Sequence, residues 1–222
     1  MSIITPEIEY VDRSIESIRY LEHGWPSDLC RWHSHREFEL HLIVATRGKA
    51  FVGDYIGEFR PGSLFLTGPH LPHNWVTDEI TSRQVSTRDM LVQFDQESVN
   101  SLSLAFPEFD DMRQMFELAR SGIEFHGFDA KLVQRRLAEI RDSSGPARIL
   151  AFLQLLVEIN QHAEMRQLSV VAVTQPEDSN KHTRIASVVD HITQHFAEDI
   201  SLETAAELAC MSPTAFSRNF QK

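Results

Sequence analysis

The stretch RWHSHREFELHLIVA, residues 31–45, decides how the N-terminal part of the chain is expected to fold. Its second half, FELHLIVA (38–45), is a short apolar run of the kind that forms strands. Successive side chains of a strand point to opposite faces, so residues of one parity share a face. Five polar residues would therefore line one face of an extended strand: His33, His35, Glu37, Glu39 and His41.

Short runs of the same kind continue to about residue 98. They include AFVGDYIGEF (50–59), SLFLTG (63–68) and DMLVQF (89–94), and segments rich in Gly and Pro, such as RPG and GPHLPH, separate them. Short strands with regular turn signals are typical of all-β sandwiches and barrels. The sequence therefore predicts a β-barrel over residues 1–106.

The hydrophobic period changes after this region. DMRQMFELAR, DAKLVQRRLAEIRDS and ARILAFLQLLVEINQHAEM place apolar residues three and four apart, which predicts amphipathic helices over 107–167. Between the first two, IEFHG (123–127) could form a short strand or a turn. Residues 168–182 are expected to form a linker, and 183–222 are helical again. The expected fold class is α+β in two domains, a β-barrel with helices followed by an all-α unit.

Composition excludes several classes of protein. The 222 residues are 42% hydrophobic and 24% charged, which is ordinary for a globular chain, and no apolar run reaches 18 residues. Since the N-terminus has no secretion signal and the two cysteines match no metal or redox spacing, we expect a cytoplasmic protein with no membrane partner. The net charge is −11, but the segment from Lys181 onward contributes only −1, which permits nucleic-acid binding without supporting it.

The last forty residues carry the most informative pattern. Ser201 is a good N-cap for a helix LETAAELA, whose Leu202, Ala205, Ala206 and Ala209 are expected to face inward. Cys210-Met211 makes the turn, and Ser212-Pro213 starts a further helix that buries Phe216 and Phe220. A short helix, a tight turn and a second helix describe a helix-turn-helix. On spacing alone, a helical hairpin that closes a core fits equally well.

The amino-acid sequence of this motif resembles the first helix-turn-helix of the AraC/XylS family of transcription regulators. The matching positions are Ile200, Leu202, Ala206, Ala209, Met211, Ser212, Phe216, Ser217, Arg218 and Phe220. The resemblance implies that the last helix enters the major groove of double-stranded DNA, with Thr214, Ser217 and Arg218 as its contacts. Arg218 could instead be structural and pair with an acidic residue of the helices.

Members of this family carry two such motifs joined by a long helix. The chain ends at Lys222, where the joining helix is expected to begin. The resemblance therefore implies an incomplete DNA-binding domain over 183–222, lacking the second helix-turn-helix, with weak or absent DNA affinity. Such a chain would be a fragment, or a shortened regulator that acts through heterodimers with an intact relative.

The N-terminal region resembles the cupin barrel that serves such regulators as a sensor. His33-x-His35-x3-Glu39 has the spacing of the first cupin motif, and RPGSLFLTGPHLPHNW (60–75) resembles the second, with His73 as the fourth position. In cupin enzymes these positions hold a divalent transition metal, so such a metal is the cofactor this chain could bind. Many sensor barrels instead bind an organic effector without metal, and the four residues would then be polar walls of the pocket. Trp75 could stack on the effector or belong to the core.

The function expected from these features is a ligand-responsive DNA-binding transcription regulator, not an enzyme. Its effector, a sugar or another small polar metabolite, would bind in the barrel. The family also implies a homodimer, with a seam of Ile149, Phe152, Leu153, Leu156 and Val157, although the same face could simply pack against the barrel. The alternative function is a metal-dependent cupin enzyme, a dioxygenase or an isomerase.

Overall fold

The computed structural model describes residues 7–8, 16–27, 31–78, 84–170, 188, 191, 200–209 and 211–220. Within these residues the chain is α+β. The strands are β1 (Glu7–Ile8), β2 (Ile18–Trp25), β3 (His33–Ser34), β4 (Phe38–Ile43), β5 (Gly48–Val52), β6 (Tyr55–Phe59), β7 (Leu64–Thr67), β8 (His73–Thr77), β9 (Val85–Phe94), β10 (Ile123–His126) and β11 (Glu164–Gln167). The helices are α1 (Gln96–Ala105), a 3-10 helix (Pro107–Met112), α2 (Arg113–Ala119), α3 (Ala130–Asp142), α4 (Gly145–His162), α5 (Leu202–Leu208) and α6 (Pro213–Phe220).

The strands form two sheets with mostly antiparallel pairing. One sheet has the order β1-β3-β8-β5-β6, and the other has the order β11-β10-β7-β4-β9-β2. Strand β4 occupies the middle of the second sheet, between β7 and β9. The apolar runs that were expected to form strands do so, and Gly53 makes the turn between β5 and β6 with a φ of 58°.

Strand β4 shows why the sequence alternates as it does. All six of its residues are buried, so both faces of the strand are covered. Leu40 and Leu42 belong to the core that the sheet shares with α3 and α4, whereas Ile43 packs with residues of the other sheet, including Ala50 and Phe59. The odd-numbered residues of β4 therefore face the space between the sheets.

Side-chain caps mark the N-termini of two helices. Asp95 caps α1 by accepting a hydrogen bond from the Ser98 backbone N–H, and Asp129 caps α3 in the same way at Lys131. Helices α2, α3 and α4 confirm the helical period of 107–167. Helix α1 lies inside the region expected to contain only strands. Its sequence does not predict a helix because its amphipathic pattern is weak and just one of its residues, Val99, is buried.

The expectation that helix α4 continues to Met165 was wrong. The helix ends at His162, and Glu164–Gln167 form β11, which pairs with β10. The undecided segment IEFHG is strand β10, and it pairs with β7 on its other side. Helix α4 is thus followed directly by a strand of the second sheet.

The first two residues of the expected 168–182 linker are fixed to the β-rich part of the chain. Leu168 and Ser169 are buried, and their backbone N–H groups donate to the carbonyls of Gly122 and Ser121. The Ser169 hydroxyl donates to Asp54 at 2.5 Å. These contacts attach the start of the segment to the β-rich part of the chain, and 171–182 lies outside the described residues.

Two of the five residues proposed as a dimer seam are in the chain's own core. Phe152 and Leu156 are 4% and 2% exposed and pack against the sheet, so they have no surface left to bury against a partner. The seam prediction is corrected for these two residues. Ile149, Leu153 and Val157 are partly exposed, and their role in a dimer stays a prediction.

In the C-terminal segment, α5 and α6 pack against each other as expected of a helical pair. The Ser201 hydroxyl accepts from the Thr204 N–H at 3.0 Å, which confirms the N-cap. The buried residues of this segment are Val188, Ala205, Ala206, Ala209 and Phe216. Leu202 was expected to face inward but is 46% exposed. Most of the helix expected over 184–196 lies outside the described residues. Among the helices that are described, none has the length and apolar character needed to cross a membrane.

Candidate metal centre

Both sheets contribute to the predicted cluster. His33 on β3 is directly opposite His73 on β8, in the first sheet. Glu39 stands on β4 in the second sheet, and His35 lies in the short connection between β3 and β4. His35, Glu39 and His73 are at most 2% exposed, and His33 is partly buried. The structure therefore brings all four predicted residues together between the sheets.

The distances within this cluster suit a metal ion. One ligand atom from each of the four residues can be chosen so that all lie within 4.8 Å of one another. His35 Nε2 is 3.2 Å from Glu39 Oε2, and His73 Nε2 is 3.6 Å from Glu39 Oε1. Atoms bound at about 2.1 Å to one ion are about 3.0 to 4.2 Å apart, so the set would close by about half an ångström around a metal.

Each histidine of the cluster is oriented by a hydrogen bond to the backbone. The Nδ1 atoms of His33, His35 and His73 lie 2.8, 3.1 and 2.8 Å from the carbonyl oxygens of Arg31, Glu37 and Leu71. A carbonyl oxygen only accepts, so each Nδ1 carries the hydrogen and each Nε2 of a neutral ring is left with its lone pair. Such outer hydrogen bonds are how proteins fix metal-binding histidines.

The electrostatics favour the forms that bind metals. Burial, together with the neighbouring His73, lowers the pKa of His33 to about 3, so the ring is neutral at pH 7. Burial acts to raise the pKa of Glu39, but the neighbouring His35 and His41 side chains outweigh it and hold that pKa well below its ordinary value. A carboxylate and neutral imidazoles are the donors that divalent transition metals select. The four residues thus fit such an ion.

A second polar network extends from Glu39 away from the cluster. His41 Nδ1 is 2.8 Å from Glu39 Oε1, and His41 Nε2 is 3.2 Å from Asp89 Oδ2. Burial acts to lower the pKa of His41, yet the two carboxylates raise it above its ordinary value. Asp89 also pairs with Arg88 at 2.5 Å and with His23 at 2.9 Å. These groups hold Glu39 charged and in position.

Sequence reasoning missed Arg88, Asp89, Thr67 and Gln93. The carboxyl group of Asp89 is fully buried on β9, and its pKa is depressed because His41 and Arg88 outweigh its burial. Arg88 immediately precedes the apolar run 89–94 and Asp89 begins it, and neither belongs to a motif that would single it out. The sequence offers one signal for this network, which is the presence of two charged residues in a strand that contains an apolar run. Buried charges are rarely left without a partner.

Trp75 belongs to the core and to this network. Its side chain is 3% exposed, and its ring stacks on Phe65 with centroids 4.5 Å apart. Its Nε1 atom is 2.8 Å from His41 Nδ1. Of the two roles considered for Trp75, packing in the core is the one its surroundings support.

The residues expected to contact DNA lie in a separate segment. Thr214, in the first turn of α6, is exposed, and Ser217 is partly buried. The side chain of Arg218 is outside the described part of the structure. The tight turn before α6 is held by the Met211 N–H, which donates to the Ala206 carbonyl at 2.9 Å.

Comparison with known proteins gave structural neighbours only. No family model and no curated protein matches the chain. Among solved structures it is similar to the AraC-like transcriptional activator CuxR, at 13% identity and a TM-score of 0.37, over 81% of this chain and 58% of that one. It is also similar to ToxT from Vibrio cholerae, at 9% identity and a TM-score of 0.43, over 93% of this chain and 94% of that one. A further ToxT structure, bound to (E)-4-(8-methylnaphthalen-1-yl)but-3-enoic acid, matches at 8% identity and a TM-score of 0.38. The chain thus spans less than two thirds of CuxR, and its function has to be argued from its own residues.

Proposed function

We propose that this chain is a ligand-responsive, DNA-binding transcription regulator of the AraC type. Its β-rich part holds a divalent transition metal on His33, His35, Glu39 and His73, as part of the site that receives the effector. Helices α5 and α6 form its helix-turn-helix. Double-stranded DNA and a small polar effector are its partners.

The observation that carries the metal proposal is the common orientation of the three histidines. Each has its Nδ1 engaged with a backbone carbonyl, so three lone pairs and one carboxylate are directed into a single buried volume. Facing lone pairs repel one another, and burial removes the water that would screen them. A cation at this position converts the repulsion into four favourable contacts.

Elemental analysis tests the metal. The purified chain is dialysed in turn against Mn²⁺, Co²⁺, Ni²⁺ and Zn²⁺ and then freed of loosely held ions. We expect one equivalent per chain in wild type and at least about a hundredfold lower affinity in His73→Ala, because even an outer hydrogen bond is worth about 10–100-fold. His126→Ala is the matched control, since His126 is 47% exposed and outside the cluster. Equal binding by wild type and His73→Ala would contradict the proposal.

The helix-turn-helix proposal rests on the packing of α5 against α6. The alanines at 205, 206 and 209 are buried, so the helices approach closely around Phe216. Thr214 is left exposed at the start of α6, where a recognition helix meets base edges. The sequence motif at 200–220 supports the same assignment.

Selection from a random duplex pool tests DNA binding. We expect the metal-loaded chain to retain a subset of duplexes, and Thr214→Ala and Arg218→Ala to weaken that retention. Glu164→Ala, an exposed change on β11, serves as the control. If the chain retains no duplex better than a neutral protein does at low salt, where non-specific phosphate contacts are strongest, the DNA-binding part of the proposal fails.

A homodimer is also proposed, with the outward face of α4 as its seam. Ile149, Leu153 and Val157 remain partly exposed on this helix, and Leu150 beside them is 68% exposed. Sedimentation equilibrium tests this arrangement. Leu150→Lys is expected to shift the chain towards monomer, and an unchanged mass would exclude this face.

The second candidate is a metal-dependent enzyme, which the set of three histidines and one glutamate favours. Four protein ligands leave two positions open in an octahedral ion, where a substrate and oxygen could bind. Turnover that follows metal content and disappears in His35→Ala would support this function over the regulator.

A further inference from the structure

We propose that Thr67 and Gln93 form a subsite beside the metal centre for a small α-hydroxycarboxylate, which acts as the effector. This inference rests on the function proposed above and names the ligand of that site. Neither residue is one of the metal ligands, and neither belongs to a sequence motif.

Both residues are placed by strand register. Glu39 on β4 is directly opposite Thr67 on β7 and Gln93 on β9. Directly paired residues of neighbouring strands point to the same face of a sheet. Thr67, Glu39 and Gln93 therefore form a row across the sheet, on the face that carries the metal ligand.

The row contains polar atoms that no group in the described residues satisfies. Thr67 is 1% exposed and Gln93 is 2% exposed, yet Thr67 Oγ1 and Gln93 Oε1 have no hydrogen-bond partner among the residues that the structure describes. At least about nine in ten buried polar groups are hydrogen-bonded, so two neighbouring exceptions call for an explanation. Both stand next to Glu39, one of the proposed metal ligands.

The chemistry of Gln93 defines one group of the ligand. Its Nε2 atom donates to Glu39 Oε2 at 3.1 Å, which fixes the orientation of the amide. The remaining atom, Oε1, can only accept a hydrogen bond. The ligand must therefore present a donor to it, and a hydroxyl group that is also able to bind the metal fits this need. The Thr67 hydroxyl can then donate to an oxygen that only accepts.

Charge defines the second group. Three neutral imidazoles and one carboxylate leave a divalent ion with a net formal charge of +1, in a site that excludes water. Asp89, the nearest carboxylate of the adjoining network, is already paired with Arg88. Glu37 approaches His35 at Nδ1, the atom turned away from the cluster. A monoanionic ligand neutralises the remaining charge, whereas a neutral sugar does not. A carboxylate next to a hydroxyl combines the two requirements.

Isothermal titration calorimetry on the full chain loaded with Co²⁺ tests the subsite with three matched probes. Lactate has both groups, pyruvate lacks the hydroxyl donor, and propane-1,2-diol lacks the charge. We expect lactate to bind at least about tenfold more tightly than either of the others, since pyruvate leaves the buried Gln93 Oε1 without a donor and the diol leaves the charge of the ion uncompensated, and each loss costs about that much or more. Equal affinities for lactate and pyruvate, or for lactate and the diol, would overturn the inference.

Two variants connect this preference to the named residues. At saturating Co²⁺, which keeps both variants loaded although Gln93→Leu also removes a hydrogen bond to Glu39, Thr67→Val and Gln93→Leu should each weaken lactate binding by about 10- to 100-fold. Thr87→Val is the control, because Thr87 is on β9 but about 20 Å along the strand from Gln93. Unchanged lactate affinity in Thr67→Val and Gln93→Leu overturns the subsite and leaves the metal centre standing. A wild-type chain that takes up none of the four ions overturns the metal centre of the proposed function, on which the subsite rests.

Discussion

At the scale of single residues, the cluster is defined by how each imidazole is held. Parity and spacing were enough to predict His33, His35, Glu39 and His73 from the sequence. They could not supply the tautomers, which depend on carbonyls two residues away from each ring. They also could not find Thr67 and Gln93, because these residues reach Glu39 only through the register of β7 and β9. Register is set by pairing across the sheet, and no local pattern encodes it.

The depressed pKa of His33 predicts a specific dependence of stability on pH. Burial and His73 lower this pKa from 6.5 to about 3 in the folded chain, so the unfolded chain takes up the proton first. Below pH 6.5 the unfolded state is therefore favoured, and the loss of stability grows as the pH falls towards 3. In the presence of a chelator, the free energy of unfolding of wild type should fall more steeply than that of His33→Gln. The excess slope should approach, but not exceed, about 1.4 kcal/mol per pH unit.

Urea unfolding at pH 7.5, 6.0 and 5.0 measures this difference. His162→Gln is the control, because it removes a histidine at the end of α4, outside the cluster. A constant difference between wild type and His33→Gln at all three pH values would show that His33 titrates alike in the folded and unfolded chain.

At the scale of elements, the sequence predicted those whose period was strong. The main strands of the two sheets and helices α2, α3 and α4 have clear spacing and are present. Helix α1 was missed because it buries only Val99, and β11 was read as helix because its residues are mostly exposed and continue a helical pattern. Spacing alone also could not show whether the apolar face of α4 packs in the core or forms an interface. An apolar face serves a core and an interface equally well, and only the structure shows Phe152 against Phe94, with ring centroids 4.8 Å apart.

Two neighbouring positions of α4 should therefore respond very differently to truncation. Phe152→Ala removes a buried ring from the core and should lower the free energy of unfolding by about 3–5 kcal/mol. In the monomer, Leu150→Ala alters a side chain that is 68% exposed and should change the free energy of unfolding by no more than about 0.5 kcal/mol. Urea unfolding of the three proteins at one concentration makes the comparison. Similar losses in both variants would mean that the two residues are equally covered, as in a stable dimer that buries Leu150.

At the scale of the whole molecule, the second sheet connects the site to the helices. Gln93 and Phe94 are consecutive on β9, so their side chains point to opposite faces. Gln93 bonds Glu39 on the inner face, and Phe94 packs against Phe152 of α4 on the outer face. A ligand that forms a hydrogen bond with Gln93 would therefore act on β9, the strand against which α4 packs. This short path gives the proposed effector a physical means of changing how α4 is presented, either to a second copy or to the segment that follows.

If this strand transmits effector binding to the proposed helix-turn-helix, the coupling must be reciprocal. A change in DNA affinity caused by lactate has to equal the change in lactate affinity caused by DNA, since both express one coupling free energy, which typically corresponds to about 5- to 150-fold. With the Co²⁺-loaded chain and a duplex recovered by selection, the two ratios should agree. Phe152→Leu, which loosens the contact with Phe94, should bring both ratios closer to one while each ligand still binds. Ratios of one in wild type, with both ligands bound, would mean that the β-rich part and the helix pair act independently. Ratios left unchanged by Phe152→Leu would mean that coupling takes a route other than β9.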